Sequence, residues 1–205
     1  MIRKILLMSL VLYGFTFYES NRCLAGDTLS EAQQNICNLI NRGKLNEAKS
    51  AADKMMTDFS NNNDLPEMIY WTIRHCEWEN NFDEAKRLYQ IMIQQYPNNP
   101  HANQIQIGIT RCEIMQMVLS QNYDSANTAI NSMVLNFAGN TELAESLFMV
   151  AERFEWQLQF EKEKNIFHII LNNFPEGISA DKANIGMARA DILSFIASKD
   201  YVKFN

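Results

Sequence analysis

A chain of 205 residues holds one ordinary domain or a short array of repeats. With 47% hydrophobic and 20% charged residues it is not a disordered tail, and 7 Gly and 4 Pro are too few for a protein built on strand reversals. Leu, Ala, Met, Glu, Gln and Lys, all good helix formers, dominate instead, so the expected class is all-α. A net charge of −6 repels phosphate backbones and anionic lipid surfaces, which excludes nucleic acid as a partner class.

Arg3 and Lys4 give a basic start, Ile5 to Tyr18 is apolar apart from Ser9, Gly14 and Thr16, and Cys23-Leu24-Ala25-Gly26 supplies small residues. This layout predicts a secretory signal over residues 1–25 and an exported product, periplasmic or secreted. The alternative is a retained N-terminal membrane anchor, but the apolar run falls short of the roughly 20 residues that cross a bilayer. Ser20-Asn21-Arg22 before Cys23 does not fit a lipid-attachment site. No direct membrane span is expected in the mature chain.

From residue 26 to 205 the apolar positions recur at i, i+3, i+4 and i+7, as in Ala85, Leu88, Tyr89, Met92 and Ile93. First helices are predicted near 29–41, 66–79, 101–120, 142–157 and 181–198, and second helices near 45–58, 83–95, 124–136 and 161–173. Thr28 with Glu31 and Asp64 with Glu67 have capping-box spacing, and Pro97, Pro100 and Pro175 fall in connectors. Leu45, Phe82, Tyr123, Phe160 and Tyr201 recur at alternating intervals of 37 and 41 residues, each after a short turn, so the larger unit is a hairpin pair of 78 residues. A 78-residue shift lays Glu67, Glu77, Trp78, Phe82, Lys86 and Gly108 on Glu145, Glu155, Trp156, Phe160, Lys164 and Gly186, and Arg111 on Arg189, without a gap. The repeats run over about 28–62, 63–99, 100–140, 141–177 and an incomplete 178–205.

Phe82-Asp83-Glu84-Ala85, Tyr89, Tyr96-Pro97-Asn98-Asn99-Pro100 and Ala102 resemble the second helix and following loop of the tetratricopeptide family, in the variety found in outer-membrane assembly and cell-envelope proteins. Tyr123/Ala126/Ala138 and Phe160/Phe167/Pro175 are similar, with Glu163 where a small residue is expected, and Gly43-Lys44-Leu45-Asn46-Glu47-Ala48 is a weaker copy. The first helices lack the family's Leu-Gly pair. The resemblance covers roughly residues 28–205 and implies a right-handed superhelical solenoid of antiparallel hairpins, about four and a half repeats long. It also implies that a concave groove lined by the first helices binds peptides.

No nucleophile motif, phosphate loop or metal-ligand spacing is present, and the Glu152/Glu155 pair reads as a solvated face, so no catalytic residue, cofactor or metal is expected. His75, His101 and His168 lie on different repeats, and Cys37, Cys76 and Cys112 fit small buried hydrophobes, with a Cys76–Cys112 bridge as the alternative. What stands out is one stripe of the first helices: Glu67, Tyr70, Arg74, Glu77 and Trp78, then Glu145, Phe148, Glu152, Glu155 and Trp156, with Arg111 and Arg189 in equivalent places. One reading makes these residues partner-binding anchors in the groove. The other packs the tryptophans between helices and uses Glu–Arg pairs to tie repeats together.

The expected function is therefore a non-enzymatic interaction module of the cell envelope that binds a protein or peptide segment. The alternatives are an oligomeric scaffold subunit and a fragment of a longer, enzyme-associated repeat protein. Ile185, Ala188, Ile192, Phe195 and Ile196 are too many for one buried stripe, and the sequence stops where a second helix would open. A homo-oligomer through this C-terminal helix is expected as one way to cover them.

Overall fold

A computed structural model describes residues 27–140 and 142–202; the expected signal segment, residues 1–25, lies outside them. The described residues form nine α-helices and no strand. In chain order they are α1 (Asp27–Asn41), α2 (Leu45–Asp58), α3 (Leu65–Trp78), α4 (Phe82–Gln95), α5 (Ala102–Leu119), α6 (Tyr123–Asn136), α7 (Glu142–Trp156), α8 (Phe160–Asn173) and α9 (Ile178–Val202). Consecutive helices stack into one repeat array, and a single apolar core runs through it from Leu29 to Ala183. Each hairpin shares its buried stripe with its neighbours because alone it has nothing to bury that stripe against.

The four turns inside the hairpins are copies of one another. Gly43, Asn80, Gln121 and Leu158 all have positive φ, between 57° and 70°. After each, a backbone N–H reaches back to a carbonyl of the first helix: Lys44 to Leu39, Asn81 to Cys76, Asn122 to Met117 and Gln159 to Phe154. This is a Schellman closure, which satisfies the last carbonyls of the first helix and reverses the chain. Glycine meets its conformational demand only at Gly43; Asn80, Gln121 and Leu158 hold the left-handed conformation under strain or by local hydrogen bonding.

The expected capping box at α3 does not form. Asp64 makes no side-chain cap bond; Asn62 Oδ1 accepts from the Asp64 N–H at 2.9 Å, and Glu67 turns away to accept from Trp71 Nε1 at 2.6 Å. Glu67 is drawn instead to Trp71 of its own helix and, across the array, to His101 Nε2, 2.6 Å from its Oε2. The 78-residue period also has a packing cause. First helices meet directly in α1–α3 and α5–α7, whereas α4 packs against α5 and α8 against α9. In the second arrangement an aromatic ring of the second helix points at a glycine of the next: a Cβ on Gly108 would lie 2.4 Å from the Tyr89 ring, and one on Gly186 2.4 Å from Phe167. Position 89 becomes Ala52 in α2 and Ile130 in α6, where no such ring-to-glycine approach is built.

Candidate binding cleft and the buried charges behind it

The stripe on the first helices divides into an inner and an outer part. On the inner side Glu77, fully buried in α3, receives Arg111 Nη2 of α5 at 2.7 and 2.8 Å, Arg74 Nη1 at 3.0 Å, the Tyr89 hydroxyl at 3.2 Å and the Cys112 thiol at 3.2 Å. Arg111 also donates to Ser146 Oγ of α7 at 2.8 Å, so one guanidinium joins three first helices. A buried ion pair repays its desolvation only when hydrogen bonds satisfy it; here the carboxylate is saturated, and Arg111 Nε is left buried with no hydrogen-bond partner among the described residues. Burial, then the Glu77 carboxylate, push the Cys112 thiol well above its ordinary range, which keeps it a donor. Cys37, Cys76 and Cys112 are all free and buried, as the small-hydrophobe reading expects; the Cys76–Cys112 bridge is absent.

The second copy of this cluster is chemically different. Glu155 Oε2 lies 2.8 Å from Arg189 Nε, but Phe167 replaces the Tyr89 hydroxyl and Glu163 replaces Ala85. Glu163 is fully buried, and its nearest cation is Arg189 at 3.8 Å. Two buried carboxylates thus face one guanidinium. Burial, with Glu155 second, pushes the Glu163 carboxyl up to about 8, so near neutrality it is held protonated. The misfit of Glu163 with the small residue at Ala85 was the one sequence signal for this pair.

The outer part forms a cleft of about 360 Å³ between α3 and α7, floored by Met115 of α5. Arg74, Glu77 and Trp78 line it from α3; Glu145, Met149, Glu152, Arg153 and Trp156 line it from α7. Its volume falls within the range of sites that take a small ligand or one large side chain. Trp78 and Trp156 are 48% and 36% exposed and meet edge to face, with centroids 6.1 Å apart. Arg74 Nη2 donates to Met149 Sδ at 3.0 Å. Arg153, only 4% exposed, lies 4.2 Å over the Trp156 ring and 5.7 Å from the Phe82 ring, and its Nε has no hydrogen-bond partner among the described residues. Burial lowers its pKa to about 10, against the pull of Glu152, so it remains charged. Burial raises the Glu152 carboxyl above the ordinary carboxylate range; Arg189 opposes this, while Glu155 and Glu145 add to it.

Of the residues singled out from sequence, Arg74, Trp78, Glu145, Glu152 and Trp156 therefore meet at one accessible place, with Glu77 at its back. Arg111, Glu155 and Tyr70 are buried in the packing between helices. Arg189 is 44% exposed and fastens α9 to Glu155. Tyr70 stacks flat on His101 at 3.7 Å, and His101 Nε2 lies 2.6 Å from Glu67 Oε2, a tie between α3 and the turn before α5. Phe148 packs against Phe167 at 5.8 Å. Sequence reasoning missed Arg153 and Met149, which the repeat hides: their equivalents are His75 and Trp71, with different partners. No cluster of potential metal ligands occurs among the described residues, and no helix among them is long and apolar enough to cross a membrane. The chain matches no protein-family model and no curated protein.

Proposed function

We propose that this chain is a tetratricopeptide-type interaction module that holds a protruding segment of a partner protein in the α3–α7 cleft. The observation that carries the reading is the lining. Two partly exposed tryptophans and two methionines offer apolar contact, beside Glu145 and Glu152, neither of which has an ion-pair partner among the described residues. Aromatic anchors in a desolvated recess, rimmed by unpaired charge, are the composition from which interface hot spots are built. The basic, apolar and small-residue layout of residues 1–25 supports an exported partner, a protein or peptide of the cell envelope.

The test is affinity capture from envelope extract with residues 26–205, comparing the parent with Trp78→Ala and Trp156→Ala. Each tryptophan keeps a third or more of its surface in solvent, so each substitution should cost stability modestly, about 1–2 kcal/mol including the lost edge-to-face contact. Capture of a defined protein should fall at least tenfold for both. Variants that melt earlier yet capture the same protein equally well would assign the tryptophans to packing alone and remove the cleft from consideration.

A further inference from the structure

Arg153 of α7 is a buried cation without an acceptor among the described residues. It is 4% exposed and charged at neutral pH, yet no hydrogen bond or ion pair from those residues reaches its guanidinium. Arg111, equally buried, meets Glu77 at 2.7 Å and Ser146 at 2.8 Å. Two rings hold Arg153 instead, Trp156 at 4.2 Å and Phe82 at 5.7 Å. Ring attraction acts on the charge and supplies none of the five N–H donors with an acceptor atom. The carboxylates of the same wall do not serve: Glu152 is the preceding residue, about 100° round the helix, and Glu145 stands about 12 Å away along it. Across the cleft Arg74 is under-used as well. Its Nη1 donates to Glu77 at 3.0 Å, but its Nη2 has only the Met149 thioether, a weak acceptor. A buried charge with no partner is destabilising, and one set in the wall of a ligand-sized cleft points to a ligand that completes it.

Resting on the holding role proposed above, we infer that the partner's segment inserts an aspartate or glutamate side chain into the α3–α7 cleft, and that its carboxylate pairs with Arg153. Arg153 Nε is sealed from solvent, so the two Nη groups are the donors that meet it. A carboxylate matches them, because its two oxygens accept a pair of parallel N–H bonds from one guanidinium edge. Trp78 and Trp156 offer apolar cover to the methylenes that carry it. A side chain also suits the place better than a chain end. Trp156 covers Arg153, so the acceptor has to enter on an arm of its own, whereas a terminal carboxylate brings its peptide group in with it. Glu145 repels a second negative charge at the far end of the cleft, which confines the carboxylate to the Arg153 end.

Nitrogen-15-labelled residues 26–205, which contain every described residue, test this by titration with three tripeptides. The indole N–H signals of Trp78 and Trp156 report on the cleft, and that of Trp71, outside its lining, is the internal control. Acetyl-Leu-Glu-Leu-amide offers an internal carboxylate, acetyl-Leu-Gln-Leu-amide its neutral isostere, and acetyl-Leu-Gln-Leu with a free C-terminus a terminal carboxylate. The first should move both cleft indoles and bind about tenfold more tightly than either of the others. Arg153→Met should raise the urea midpoint, because it removes an unpaired buried charge, and should erase the preference for the glutamate peptide. Arg153→Lys keeps the charge without the fork and should weaken that preference. Equal binding of the glutamate and glutamine peptides overturns the inference and leaves the holding role standing. A preference for the free C-terminus does the same, as does a glutamate preference that survives Arg153→Met. Cleft indoles unmoved by all three peptides overturn the inference together with the cleft as a seat for a peptide.

Discussion

Glu163 makes the stability of this array depend on pH in an unusual direction. A carboxyl with an ordinary value of 4.5 in the unfolded chain is pushed up to about 8 in the fold by burial and by Glu155. Below about pH 4.5 the group is protonated in both states and adds no pH dependence. Between about 4.5 and 8 the folded state binds the extra proton, so stability falls as pH rises, and above about 8 the loss levels off. At about 1.4 kcal/mol per pH unit, the displacement corresponds to a ceiling of about 5 kcal/mol. The loss should be smaller in practice, since α9 can loosen and let water reach Arg189, which is already 44% exposed. Chemical denaturation followed by circular dichroism at pH 5, 7 and 9 gives the curve. Glu163→Gln keeps the shape and removes the titration, and it should be more stable than the parent at pH 9 by about 2–4 kcal/mol with a flatter profile. Equal pH slopes for parent and variant would refute the account in which burial and Glu155 hold Glu163 protonated.

Three further substitutions probe the framework around the cleft. Gln121→Gly copies the Gly43 turn at an exposed site with φ of 59° and should stabilise the fold by about 0.5–1 kcal/mol in urea titrations. Gly108→Ala sets a methyl group against the Tyr89 ring, which cannot retreat from Glu77 and Arg111, and should cost about 1–3 kcal/mol by the same measure. Glu77→Ala leaves Arg111 buried without its carboxylate and should cost about 3–5 kcal/mol, whereas Glu145→Ala, at an exposed rim position, should change stability by less than about 0.5 kcal/mol.

The helices and the hairpin order were legible because burial here is periodic: one stripe per helix, interrupted by turns of fixed length. The 78-residue unit was legible for the same reason, since Gly108 and Gly186 stand in the same packing role, each under an aromatic ring of the preceding helix. Accessibility within the stripe was not legible. Glu77 and Trp78 are neighbours in sequence, yet one is fully buried and the other is half in solvent, because a rotation of about 100° decides it. The aligned Arg111 and Arg189 invite one role, but Arg111 is enclosed by α7, whereas no helix among the described residues encloses Arg189. Arg153 was invisible because nothing in its sequence neighbourhood announces that Phe82 and Trp156 come to lie against it.

The contacts that reach across α5 alter how the array can come apart. In a solenoid whose hairpins touch only their neighbours, unfolding proceeds one unit at a time from any point. Here Arg111 spans from Glu77 to Ser146, Arg74 reaches Met149, and Trp78 meets Trp156, so α3 and α7 are fastened to each other as well as to the helix between them. Opening the middle of the chain must break all three at once. The ties make α3, α5 and α7 one mutually fastened block, with α1–α2 and α9 each held by their adjoining helices. The cleft lies inside that block, on walls that do not move apart in small fluctuations. Under the proposed function, the ordering cost of binding falls on the partner's segment and little of it on this protein.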